Sequence, residues 1–330
     1  MRIKTIATGP IGTSLAAAFM AAALSTSAGA ADAPVFGVLL KTLSNPFWSA
    51  MEQGIKDGTK EAKVEYFLQA VESDQAAEPQ LNTCNTMLER KPAVMITAAI
   101  NSTILLPCLK QATDMGIPVI DLDANLDHDI ASKAGVKIAF TIGSDNTAAG
   151  GKGADFMAEK LQGKKGSILV IEGLAGNITG QKRAKGFADQ LAKVAPNLKI
   201  VASLPGDWDR QKAANITNDT MTANPDLVGI FCANDTMALG AVESVYAAGK
   251  GGEITVIGVD GNVDAVKSIK AGRLTASVAQ LPYLVGKQAV EKAKEVLEGK
   301  KVDEFTYVQT LVLTKEVMDA GTDPALQYVK

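Results

Sequence analysis

The chain has 330 residues, of which 47% are hydrophobic, 21% charged and 5% aromatic, with 30 glycines and 12 prolines, a composition that excludes fibrous and disordered classes. Thirty-three basic and thirty-six acidic residues give a formal charge of -3 without any dense lysine and arginine block, which argues against nucleic acid as a partner. The single histidine, His128, leaves no material for a multi-histidine metal site and would have to serve alone in any Ser-His-Asp or Cys-His constellation.

Residues 1–30 carry Arg2 and Lys4, an apolar run over 11–24 and small residues closing on Ala28-Gly29-Ala30, the pattern of a secretory signal peptide cut after Ala30. A membrane anchor would need about 20 unbroken apolar residues, and Pro10, Gly12, Thr13 and Ser14 interrupt this run. The expectation is a soluble, exported chain. From residue 35 onward, short apolar β-branched runs alternate with longer amphipathic stretches: 35–40 then 48–63, 64–68 then 79–90, 93–97 then 103–115, followed by strands at 118–122 and 138–142. The rhythm resumes with strands at 167–171, 200–204, 228–231, 255–259 and 275–279, then a helix over 284–297 and a last strand over 305–313. This is βαβ repetition, which predicts an α/β protein with two doubly wound parallel-sheet lobes. The cysteines make no disulfide scaffold: Cys84 and Cys108 fall on consecutive predicted helices where a bridge is geometrically allowed but not required, and Cys232, ending an apolar strand, reads as a buried hydrophobe.

Ligands of open parallel sheets bind beyond the carboxyl ends of the strands. The residues there are Lys41 to Trp48 after the first strand, Asp123 after 118–122, Asp207-Trp208-Asp209-Arg210 after 200–204, Asn234-Asp235 after 228–231, Asp260 after 255–259 and Gln280 after 275–279. The chain's two tryptophans each fall in a strand-to-helix loop among amides and carboxylates, one in each half. An aromatic face stacks on the C–H face of a sugar while Asp, Asn and Gln meet its hydroxyls, so the set suits a carbohydrate cleft. The alternatives are packing roles for Trp48 and Trp208 and helix capping for Asp123 and Asp260. The run Asp121-x-Asp123-x-Asn125-x-Asp127-x-Asp129 does not complete a calcium loop, because Leu126 and Ser132 replace its turn glycine and bidentate glutamate. Gly150-Gly151-Lys152-Gly153 lacks the phosphate-loop pattern and reads as close helix packing, and His128, among polar neighbours, as a solvated loop residue.

Through Leu40-Lys41-Thr42-Leu43-Ser44-Asn45-Pro46-Phe47-Trp48, Asp207-Trp208-Asp209-Arg210, Cys232-Ala233-Asn234-Asp235-Thr236-Met237-Ala238, Gly258-Val259-Asp260-Gly261 and Ala279-Gln280, the chain resembles the type I periplasmic sugar-binding proteins of ABC transporters, in the cluster of ribose- and D-allose-binding proteins. The resemblance implies two lobes joined by a three-segment hinge near Ser144, Gln280 and residues 305–308. The lobes would be 31–143 with about 281–306, and 144–280 with about 307–330. It further implies that Asn45 and Asn234 bond sugar hydroxyls, that Phe47, Trp48 and Trp208 sandwich the ring, and that Asp123, Asp260 and Gln280 complete the polar shell with Lys41 as a donor. Ser144 and Gln181 join the site by the same resemblance. Gln181 stands where ribose-binding proteins carry an arginine, and Ala124 where they carry another, which leaves the sugar open among pentoses, hexoses and linear alcohols.

The implied function is delivery of a monosaccharide or sugar alcohol to a membrane permease by hinge closure, in a monomer with no metal or cofactor. A sensing role that hands the closed form to a chemoreceptor fits the same residues. An exported carbohydrate-processing enzyme would instead use Asp123 and Asp260 as acid and base. A repressor of the same architecture would need a helix-turn-helix where the signal peptide stands.

Overall fold

The computed structural model describes residues 1–9 and 33–329, so the signal-peptide reading of 1–30 falls largely outside the described residues. Strands such as Val94–Thr97 and Thr255–Asp260 are buried at every position, the condition of a parallel sheet with helices on both faces. Strands β1 (Val35–Leu39), β2 (Glu65–Gln69), β3 (Val94–Thr97), β4 (Val119–Leu122) and β5 (Ile138–Ser144) alternate with helices α1 (Pro46–Ala62), α2 (Ala77–Glu89), α3 (Leu106–Asp114) and α4 (His128–Lys133). After α5 (Asn146–Lys160), strands β6 (Gly166–Glu172), β7 (Leu198–Pro205), β8 (Leu227–Cys232), β9 (Thr255–Asp260) and β10 (Ala276–Ala279) alternate with α6 (Ile178–Val194), α7 (Arg210–Ala223), α8 (Asp235–Ala247) and α9 (Val263–Lys270). The chain closes with α10 (Pro282–Leu297), β11 (Phe305–Val308), β12 (Leu311–Leu313), α11 (Lys315–Ala320) and a 3-10 turn at Pro324–Tyr328.

The strands form two six-stranded sheets, ordered β2-β1-β3-β4-β5-β11 and β7-β6-β8-β9-β10-β12. All neighbours run parallel except β10 and β12. In each sheet the first strand of its half lies between the second and third, so the winding reverses at the carboxyl ends of β1 and β6. Such switch points open the crevice in which ligands of wound sheets sit. Phe36, Val38, Met51 and Ile55 fill the layer between the first sheet and α1, while Leu39, Met95, Cys84 and Cys108 fill the other face, beneath α2 and α3. Cys84 and Cys108 are bonded to each other across 24 residues, the pairing that spacing alone left open, and Cys232 is free and buried.

Three expectations need correction. Residues 305–313 form two strands in different sheets, because the chain changes lobe at Gln309 and Thr310; Lys152 of α5 holds that crossing by donating to the Thr310 carbonyl at 2.7 Å and hydroxyl at 2.9 Å. A boundary at 306/307 would therefore cut β11, which pairs along its whole length with β5. The last residues do not all stay with the second sheet either, since the turn Pro324–Tyr328 packs on α10 with Tyr328 stacked on Tyr283 at 6.3 Å. His128 is not a solvated loop residue: it opens α4, half-buried, with Nε2 2.8 Å from the Thr141 hydroxyl and its ring stacked on Phe305 at 4.7 Å. Among the described residues no helix is long and apolar enough to cross a membrane.

Candidate functional site

At the carboxyl end of the first sheet, one short loop delivers most of the polar and aromatic groups. Asn45 caps α1 by accepting from the Phe47 amide at 3.1 Å, and Pro46 takes the first helical position, where a missing N–H costs nothing. This fixed start sends Phe47 and Trp48 inward, edge to face at 4.9 Å and 88°, both buried. Lys41 lies just beyond β1, buried, with Nζ 4.9 Å from the Trp48 ring centre and 3.8 Å from Asp123 Oδ2. Asp123 itself follows β4 in a left-handed conformation (φ 72°) with its N–H donating to the Ile142 carbonyl, so it turns into the crevice rather than capping a helix; Asp127 caps α4 instead.

The second sheet answers with groups drawn from separate loops. Asn234 caps α8 and lines the same cavity. Asp260 ends β9 with φ 129° and accepts from Gln280 Nε2 at 2.6 Å, while Asn262 takes over the capping of α9. Arg183, pointing inward from α6, donates to Asn146 Oδ1 at 2.7 Å and the Ala233 carbonyl at 2.8 Å, and its Nη1 lies 3.4 Å from Asp260 Oδ1. Trp208 follows Asp207, both left-handed, and the outer atoms of its indole press against Gly173 and Gly180: a Cβ at 173 would run into the ring.

Together Lys41, Asn45, Phe47, Trp48, Asp74, Asp123, Thr179, Arg183, Trp208, Asn234 and Asp260 line a tight pocket with about 30 Å3 of free space, well below the roughly 300–1,000 Å3 of open small-molecule sites. Burial pushes the Asp123 carboxyl from its ordinary 3.8 to about 6, with Lys41 and Arg183 pulling it back. Asp260 rises to about 7 for the same reason, restrained by Arg183 and the Gln280 hydrogen bond. Burial lowers Lys41, against the attraction of Asp123. Each sheet thus offers one strong hydroxyl acceptor, one cation and an aromatic face to a single small cavity, a set suited to gripping a neutral polyhydroxylated molecule from two sides.

Eight of the eleven residues singled out from sequence, Lys41, Asn45, Phe47, Trp48, Asp123, Trp208, Asn234 and Asp260, line this pocket. Gln280 is fully buried behind it and touches it through Asp260. Ser144 is not brought in: it ends β5 and lines a separate recess with His128, Asn146, Lys182 and Phe305. Gln181 is exposed on α6, where its amide only continues the helix from Asn177. The cleft arginine is Arg183, two positions on, which puts it on the opposite side of the helix. The long charged side chain that Gln181 seemed to have displaced is therefore present. Asp74, whose carboxylate accepts from Asn45 Nδ2 at 3.4 Å, and Thr179 were also missed, since neither directly follows a predicted strand end. The acidic run 121–129 points in several directions, and among the described residues no cluster of His, Cys, Asp or Glu could hold a metal ion.

Two wound lobes with a polar, aromatic-lined cavity between their switch points define a type I solute-binding receptor. The chain belongs to the periplasmic binding protein family, whose domain model matches residues 36–301. It is 38% identical over 298 residues to the D-allose-binding periplasmic protein of Escherichia coli, covering 88% of this chain and 95% of that one. With the ribose import binding protein of Salmonella typhimurium it shares 33% over 294 residues, 88% of this chain and 94% of the relative. Among solved structures it is similar to an ABC transporter periplasmic solute-binding protein from Actinobacillus succinogenes with bound D-allose, at a TM-score of 0.82 and 34% identity, covering 87% of this chain and 99% of that one. A solute-binding protein from Agrobacterium vitis with bound D-fucose gives a TM-score of 0.81 and 31% identity over 89% and 99% of the two chains.

Proposed function

We propose that this protein captures a monosaccharide or sugar alcohol of the allose and ribose kind in the periplasm and delivers it to the membrane permease of an ABC transporter. The observation that carries this reading is the pairing of Asp123 from one sheet with Asp260 from the other around one cavity, each beside a cation and a tryptophan. The role asked of these residues is binding rather than catalysis: the two carboxylates accept hydroxyl hydrogen bonds, and Lys41, Arg183, Asn45 and Asn234 donate them. The lobes would be residues 33–144 with 281–308 and the tail at 324–329, against 145–280 with 311–320, closing as bodies about the crossings.

Contacts between the lobes away from the cavity support closure as the working motion. Asn177 Nδ2 donates to the Ile100 carbonyl at 3.1 Å, Gln75 Nε2 to the Asp207 carbonyl at 3.0 Å, and Leu174 packs on Val71, Ala76 and Ile100. A ligand touching both lobes stabilises the closed state by its differential affinity for it, and the permease reads that state. A thermal-shift screen against pentoses, hexoses and sugar alcohols tests the reading, because a ligand at about a thousand times its Kd stabilises by roughly 4 kcal/mol. A clear shift with one or two related sugars is expected; silence across the panel together with glycoside turnover would overturn it.

A further inference from the structure

One carboxylate beside the cleft does not line it. Asp235, the first residue of α8, is fully buried. Its Oδ1 accepts from Ser277 Oγ at 2.6 Å, and its Oδ2 from the Asn262 N–H at 2.9 Å. Ser277 Oγ in turn accepts from the Gly261 N–H at 3.0 Å. Both amides belong to the turn that leaves Asp260, where φ is 129° at Asp260 and 74° at Gly261. A non-glycine residue held in so sparsely populated a region costs on the order of 1–3 kcal/mol, and it persists only when its surroundings over-determine it.

The sequence makes room for this bracket. Gly258 sits on β9 directly against Asp235, and a Cβ there would run into the carboxylate. The acid also suits the place better than its amide would. The turn and Ser277 present donors, which two carboxylate oxygens accept, whereas asparagine offers one acceptor and adds two N–H donors of its own. Stability alone would not favour a carboxylate here, since burial and the neighbouring Asp260 both penalise its charge.

We infer that Asp235, acting with Ser277, is the positioning residue that holds Asp260 in its cleft-facing geometry, so that ligand affinity depends on a carboxylate that never touches the ligand. This rests on Asp260 being a ligand contact, as proposed above. The test uses Asp235→Asn, Ser277→Ala and Gly258→Ala in the full chain, titrated with D-allose, with backbone hydrogen exchange measured on the ligand-free proteins.

Loss of a buried hydrogen-bond acceptor sets the scale: Asp235→Asn should raise the Kd for D-allose about tenfold or more, and Ser277→Ala and Gly258→Ala in the same direction. The amides of Gly261 and Asn262 should exchange about tenfold faster, with α5 and α10 unchanged. Unchanged affinity with unchanged exchange at 261 and 262 would overturn the inference. Faster exchange spread evenly over the second lobe would also overturn it, making Asp235 merely structural. If the unmodified protein takes up no D-allose, the choice of sugar fails separately. Exchange at 261 and 262 then decides: acceleration confined there supports the bracket, and its absence overturns it.

Discussion

The two walls of the cleft are built in different ways. On the first lobe, Lys41, Asn45, Phe47 and Trp48 come from one stretch of eight residues running from just beyond β1 into the first turn of α1, and only Asp74 and Asp123 arrive from elsewhere. On the second lobe, Thr179, Arg183, Trp208, Asn234 and Asp260 come from four different strand–helix units, and several need a partner outside the cavity: Gly173 against Trp208, Asn146 for Arg183, Gln280 for Asp260. A wall made by one capped helix start is fixed locally by its cap and proline. A wall collected from four strand–helix units depends chiefly on tertiary contacts, although Asn234 is held locally as the cap of α8. Changes remote from the cavity should therefore injure the second wall more than the first.

The largest effect expected is direct. Asp260→Ala removes an acceptor and leaves Arg183 and Gln280 without it, so affinity for the cognate sugar should fall by about 2–5 kcal/mol while the protein stays folded. Isothermal titration beside a melting curve checks this, and retained affinity would remove Asp260 from the site. Gly173→Ala comes next. Its new methyl group must displace the Trp208 indole, and a loss of roughly tenfold in affinity with altered tryptophan fluorescence is expected. An equal loss from a substitution at exposed Gln181 would erase the contrast between cleft-supporting and outward positions.

Acid separates binding from stability by sign. With Asp123 raised to about 6 and Asp260 to about 7 from 3.8, the ligand-free native state holds protons that the unfolded chain has released. The contribution of these groups to stability should therefore grow as pH falls through 7 toward 4 and be absent above about 7. Sugar binding needs the ionised acceptors and should weaken over the same descent, seen as a rising Kd between about pH 8 and 5. Affinity and ligand-free stability moving together with pH would contradict the assignment of these two carboxylates. The smallest effect is expected from Leu174→Ala, which removes a closed-state contact with Val71, Ala76 and Ile100 and should weaken binding by about 1 kcal/mol without touching the sugar.

The same contrast explains what could be read from the sequence. The 41–48 loop was legible whole, because a cap, a proline and two aromatics stand in an unbroken run beyond a strand. Asp260 and Trp208 were legible because they stand at or just beyond the carboxyl ends of strands, though the positive φ that aims them was not. Arg183 was missed because a displacement of two residues on a helix moves a side chain from solvent to cleft, and nothing in local composition distinguishes Gln181 from Arg183 on that score. The Cys84–Cys108 bond and the division of 305–313 between two sheets depend on which elements become neighbours, information that periodicity does not carry.

The most direct test of the central claim is calorimetric titration of residues 31–330 with D-allose, D-ribose and the corresponding sugar alcohols. The expected result is saturable one-to-one binding of one of these or a close epimer, abolished by Asp260→Ala and by Asp123→Ala alike, because the ligand must be held from both lobes. Binding that survives loss of either carboxylate, or no binding across the sugar panel, would contradict a cleft closed on a monosaccharide.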